Sequence, residues 1–208
     1  MNRLFAVLGC LAMVPAANAH RLDECLQATR ISIDITRVDL EIDLTPGVAL
    51  ASKVFGWIDT NRDGEISNAE GEAYAREMLG SVVLKVDDWP AAVKLVEASF
   101  PQFSDMSEGV GTIRLRATTS VPAAGPGRHQ VSFLNMHRSE ASVYLVNALV
   151  PANRRIQLGV GRRDTAQHGL TLEYTIGTDA SSDPAFALLV ALAMAGCLLL
   201  RHGHALRA

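Results

Sequence analysis

Residues 59–70 read Asp59-Thr60-Asn61-Arg62-Asp63-Gly64-Glu65-Ile66-Ser67-Asn68-Ala69-Glu70. Side-chain oxygens recur at Asp59, Asn61 and Asp63, alternate positions that converge when the backbone curls. Gly64 stands where a sharp turn is obstructed by a Cβ. Ser67 adds a hydroxyl, and Glu65 and Glu70 add two further carboxylates. Such a set suits a hard divalent cation: calcium takes six to eight oxygens at ~2.3–2.6 Å.

Those donors need elements to hold them at both ends. Thr45 is suited to cap a helix, with Pro46 at its first position, where a missing N–H costs nothing. Val48, Ala51, Val54, Phe55 and Ile58 then share one helical face. A second helix is expected over 68–79. Ser67 and Glu70 form its capping box, Tyr74 and Met78 mark its inner side, and Gly80 stops it.

A loop of pattern D-x-[DN]-x-[DN]-G-x5-E between two helices resembles the EF-hand family over residues 46–79. The resemblance implies calcium binding by Asp59, Asn61, Asp63, Glu65, Ser67 and Glu70. Ile66 matches the apolar position that in the family normally pairs with the same residue of a second loop. The best partner candidate, Asp105-Met106-Ser107-Glu108-Gly109-Val110, lacks the turn glycine and the terminal glutamate. Asparagine at the third position removes one carboxylate, and Gly71 is expected to loosen the exit helix. A single hand with these departures implies weak binding, in the ~10⁻⁴–10⁻³ M class of extracellular modules.

Outside 46–79 the period is two. Alternation at 30–35 and 38–44 predicts neighbouring strands, and similar runs fall at 82–86, 92–96, 112–118, 129–135, 142–150, 156–160 and 170–176. Turn chemistry separates them at 87–90, 122–127, 151–153 and 164–169. Short, evenly punctuated strands predict an antiparallel β-sandwich.

Both ends read as addresses. Arg3, the apolar run 4–14 and Ala17-Asn18-Ala19 make a secretory signal peptide over 1–19, with His20 as first mature residue. A lipoprotein signal ending at Cys10 is a minor alternative. Residues 184–200 carry no charge and suit a membrane span; the basic tail 201–208 then lies in the cytoplasm. A buried helix or a surface-sorting signal are the lesser readings of that segment.

The chain has 208 residues, 19 Lys+Arg and 22 Asp+Glu, with pI ≈ 6.1 and mean hydropathy +0.16. This balance argues against a nucleic-acid-binding domain and against a wholly disordered chain. The exported part, 20–183, contains 16 basic and 22 acidic residues. That suits cations rather than anionic partners. Cys25 is its single cysteine, expected as a small buried residue; a dimer linked through it is the weaker alternative.

Other chemistry is thinner. The amine and imidazole of His20 can chelate copper if His129, His137 or His168 lies nearby in the fold. Ser139, Glu140, Asp164 and the histidines form no recognisable catalytic pattern: there is no nucleophile elbow, HExxH or CxxC. Arg154-Arg155 and Arg162-Arg163 read as solvated loop charges rather than contacts to lipid or polysaccharide.

The sequence therefore predicts a non-enzymatic, mainly β protein: an antiparallel β-sandwich with one EF-hand insertion at 46–79 and a C-terminal transmembrane helix. It is expected at the inner membrane, single-pass, with domain 20–183 in the periplasm or outside the cell. Calcium is expected to be structural, with the sandwich binding a protein or envelope partner. A calcium sensor that exposes a partner-binding surface is the alternative.

Overall fold

The computed structural model describes residues 23–178. The signal peptide expected at 1–19, His20, the membrane span expected at 184–200 and the tail expected at 201–208 lie outside the described residues. Among the described residues, no helix is long and apolar enough to cross a membrane.

The chain is mainly β. Ten strands run in order β1 (Cys25–Ile33), β2 (Arg37–Pro46), β3 (Val82–Val86), β4 (Trp89–Pro90), β5 (Lys94–Ser99), β6 (Ile113–Ser120), β7 (Gly127–Asn135), β8 (Ser142–Ala148), β9 (Ile156–Arg163) and β10 (Gly169–Ile176). Three helices join them: α1 (Ala51–Ile58), preceded by a 3-10 turn at Val48–Leu50, α2 (Asn68–Gly80) and α3 (Phe103–Ser107).

Two five-stranded sheets result, in the orders β5-β6-β2-β1-β8 and β4-β3-β7-β10-β9. Their inner faces follow from period-two patterning: Ile31, Ile33, Leu40, Ile42, Leu44, Ile113 and Leu115 from the first sheet, and Leu84, Val131, Phe133, Leu172 and Tyr174 from the second, join one buried cluster. This arrangement is consistent with a β-sandwich. One pairing departs from the antiparallel expectation. β8 lies parallel to β1, with Cys25 opposite Ser142 and Ile31 opposite Ala148. No hairpin joins them; the chain crosses from β7 in the second sheet to reach that edge.

The helical insertion falls between β2 and β3, which belong to different sheets, so it is the connection from one sheet to the other. Its start differs from expectation. Thr45 and Pro46 continue β2 opposite Leu26 and Cys25, and the Thr45 hydroxyl bonds that of Thr112 at 2.8 Å. The alternation of β2 runs on through Leu44 and a buried Pro46, and that burial outweighs capping. α1 begins at Ala51 with no side-chain cap. The turn expected at 87–90 is present as the two-residue loop Asp87-Asp88, at φ 50 and 66, and Trp89-Pro90 return from it as the short strand β4. The strand expected at 92–96 is displaced to β5, whose pairing with β6 slips between Leu95 and Glu97.

Candidate functional site

Ala51, Val54, Phe55 and Ile58 bury one face of α1; Tyr74, Ala75, Met78 and Leu79 bury one face of α2. Both faces enter the same core cluster as the sheets. The loop 59–67 is therefore held at each end by a helix that the core fixes.

Hydrogen bonds close the loop on itself. Asp59 caps α1 and is only 6% exposed. Its Oδ1 accepts from the Asp63 amide at 3.2 Å and its Oδ2 from the Gly64 amide at 3.0 Å. Asn61 Oδ1 accepts from the Asp63 amide at 2.9 Å, and Asp63 Oδ1 from the Glu65 amide at 2.9 Å. Gly64 has φ +88 with open space around it, so the glycine serves the backbone conformation rather than a close approach. Arg62 adopts φ 63, a left-handed conformation that costs an ordinary residue about 1 kcal/mol or more.

Glu70 ties the two ends of the loop together. Its Oε1 accepts from the Thr60 amide at 2.8 Å, the Thr60 hydroxyl at 3.0 Å and the Asn61 amide at 3.1 Å. Its Oε2 accepts from the Ser67 hydroxyl at 2.7 Å and the Ser67 amide at 3.1 Å. Ser67 caps α2 reciprocally, as the sequence predicts. The Ser67 hydroxyl foremost, then the Asn61 and Ser67 amides, hold the Glu70 carboxyl down at about 2. It is an anion at every physiological pH.

The donor set fits a hard cation in its chemistry, being all oxygen, with Asp59 and Asp63 before the turn and the anionic Glu70 after it. The acids are not gathered around one point. Among the described residues, no three Asp, Glu, His or Cys side chains stand close enough together to hold an ion. Glu70 is directed at the amides of Thr60 and Asn61. Asp63 Oδ2 accepts from the Asn61 amide nitrogen at 2.8 Å. Glu65 and Ser67 sit in the loop as expected, Glu65 exposed and contributing its N–H.

The segment between β5 and β6, which contains the partner candidate 105–110, packs against both helices. Phe103 of α3 lies edge-on to Phe55 of α1, with centroids 5.2 Å apart; Phe100 lies edge-on to Tyr74 of α2 at 6.3 Å. A cleft of about 500 Å³ remains between this segment and Ile66. Gly71 is a contact point here, not a loosening: a Cβ on it would lie 2.6 Å from the Phe100 ring.

Sequence reasoning missed what supports the site from below. The Tyr74 hydroxyl lies 3.1 Å from Nε2 of buried His137. The Gln27 side-chain amide donates to the His137 carbonyl at 2.7 Å and Asn135 Nδ2 to Gln27 Oε1 at 2.9 Å. Tyr144 also donates to the His137 carbonyl, at 2.6 Å. Burial, then the nearby Arg138 charge, push the His137 imidazole down to about 4, so it is neutral. Arg138 braces both helices: it pairs with Glu77 of α2 at 2.7 Å and its Cζ stacks 4.6 Å from the Trp57 ring of α1. Only the apolar spacing of Tyr74 on α2 hinted at this network.

Among the described residues, the three histidines do not converge on one point. His129 Nδ1 bonds Asp87 at 2.7 Å near the start of β7, whereas His137 follows β7 and His168 precedes β10, its ring 4.4 Å from that of Tyr144. Cys25 is free and buried, and desolvation pushes its thiol up to about 11. The chain matches no protein-family model and no curated protein.

Proposed function

We propose that this chain is an exported, membrane-anchored β-sandwich protein that binds calcium through one EF-hand, with the ion in a structural role. The observation that carries the reading is the closed loop 59–70, in which Asp59 and Glu70 each accept from backbone amides of the loop, on either side of a Gly64 turn between two core-packed helices. Asp59, Asn61 and Asp63 would supply side-chain oxygens. Glu65 would supply its carbonyl, Ser67 its hydroxyl directly or through water, and Glu70 its carboxylate. Calcium there contributes charge neutralisation and a fixed loop geometry.

Glu70 must give up amide partners to reach an ion, and those bonds oppose binding. The affinity is accordingly weak, in the ~10⁻⁴–10⁻³ M range that suits a calcium-rich compartment. The inner faces of α1 and α2 are already buried against the sheets. Those two faces are therefore not held in reserve for release, which favours the structural role over a sensor. The leader 1–19 and the apolar segment 184–200 support export and anchoring.

A calcium titration tests the reading. Trp57 lies two residues before Asp59, so its emission reports binding. Asp59→Ala and Glu70→Gln should abolish the response. An unchanged titration in both variants refutes the assignment. Increased dye-accessible apolar surface on adding calcium would favour the sensor.

A further inference from the structure

The strand registers sort the connections onto two opposite ends. At one end lie the helical insertion, α3, the β7–β8 segment and the β9–β10 turn. At the other lie the β1–β2, β6–β7 and β8–β9 connections, joined by the Val121 amide to the Thr36 carbonyl (2.9 Å) and by Asn153 to Asp34 (3.4 Å). The chain leaves at this second end. Gly177 exchanges bonds with Arg155, its amide to the Arg155 carbonyl at 2.7 Å and its carbonyl from Arg155 Nε at 3.0 Å.

The two ends differ in chemistry. The hand's end is acidic on balance: Asp59, Asp63, Glu65, Glu70, Asp105 and Glu108 stand against Arg62 in the loop and α3 segments, while the β7–β8 and β9–β10 connections add Arg138 and Arg162-Arg163 against Glu140 and Asp164. The exit end has two charge-free loops, 121–127 and 149–153, followed by Arg128 and by Arg154-Arg155. Val150 is 90% exposed and Leu149 39%. The acids here are occupied: Asp34 accepts from the Ile35 amide and Asn153, and Asp87 bonds His129 and the Gln130 amide. Asp88 alone sits at the hairpin tip.

We propose that this end is a membrane-contact face. The sandwich stands on the bilayer interface with Val150 and Leu149 in the apolar boundary and Arg128 and Arg154 at lipid phosphates. The hand is held away from the lipid at the far end. From Gly177 to Pro184 is seven residues, a tether of at most ~25 Å, so an anchored 184–200 keeps this end within reach of the surface. The acidic end is repelled by an anionic leaflet, and an exposed apolar tip flanked by arginines suits the interface. The inference rests on the anchored reading above and is independent of calcium binding.

The chain has two tryptophans, Trp57 and Trp89, which makes the test direct. Full-length protein is reconstituted into phosphatidylcholine–phosphatidylglycerol vesicles, with and without brominated acyl chains. One form carries Val150→Trp with Trp57→Phe and Trp89→Phe; the other carries Trp89→Phe alone. The tryptophan at 150 should lose most of its emission to brominated lipid, and Trp57 none. Adding Arg128→Glu and Arg154→Glu to the first form should restore its emission. Equal brightness of the tryptophan at 150 in both lipids, in protein retained after alkaline washing, overturns the contact face. Quenching of Trp57 instead overturns the orientation. Release of the chain by alkaline washing refutes the anchor, and the contact face with it.

Discussion

The hydroxyl of Tyr74 lies 3.1 Å from Nε2 of His137, one helical turn beyond Glu70 on α2. It joins the helix that closes the loop to a buried polar network reaching β1, β7 and β8. The loop is thus registered on the sheets by a polar contact as well as by packing.

Tyr74→Phe keeps the ring and its edge-on contacts with Phe100 and His137. It removes a buried hydrogen-bond partner from His137. The expected cost is about 1–3 kcal/mol, read as a lower urea midpoint at unchanged slope. A midpoint equal to wild type would show that the hydroxyl contributes nothing to the docking of α2.

His137 sets an acid limit. Its folded pKa, about 4, lies below the unfolded value near 6.5. The unfolded chain therefore binds the proton more readily. The stability from a neutral His137 is complete above pH ~6.5 and is lost as pH falls toward 4, on the order of 2–3 kcal/mol. His137→Gln should flatten urea stability across that window. An identical pH profile in the variant would show that another group governs it.

Glu70 acts at lower pH. Its folded value, about 2, is below the ordinary carboxylate range, so its contribution is present above pH ~4.5 and fades as pH falls to 2. Glu70→Gln should remove that step from the Trp57 emission profile. A step that persists in the variant would show that Glu70 does not govern it.

Calcium should raise the melting temperature. At tenfold excess over Kd a single site contributes about 1.4 kcal/mol, which is about 3–6 °C for a domain of this size. Magnesium at the same concentration should do less, because it dehydrates reluctantly. Equal shifts with both ions would indicate nonspecific screening of the acidic end.

Gly71→Val should cost about 1–3 kcal/mol by overpacking, since its Cβ would meet the Phe100 ring at 2.6 Å. In a Phe100→Ala background the penalty should shrink, and a double-mutant cycle measures the coupling. Additive costs would mean that the ring moves aside freely.

Period-two alternation made most strands legible because each buries one face. The capping box at Ser67 and Glu70 and the Gly64 turn were legible because each depends on residues within five positions. What escaped depends on partners far along the chain. Thr45 and Pro46 carry good helix-start chemistry, yet Pro46 is buried against Cys25 in β2, and no local signal announces that. Gly71 reads as a weakness until Phe100 is known to press on it. His137 reads as one dispersed histidine until Tyr74, 63 residues earlier, reaches it. The parallel partner of β1 was equally hidden, since β-patterning states which face is buried and not which strand lies alongside.

That parallel partner has a consequence for timing. β1 is synthesised among the first residues of the described chain, but the strand on its outer side is about 117 residues downstream, with Cys25 facing Ser142. At 5–20 residues per second the first strand waits about 6–23 seconds for that neighbour to emerge. During the interval one edge of β1 has its hydrogen-bonding groups bare, and the newborn chain must be shielded from pairing with its sisters until β8 arrives.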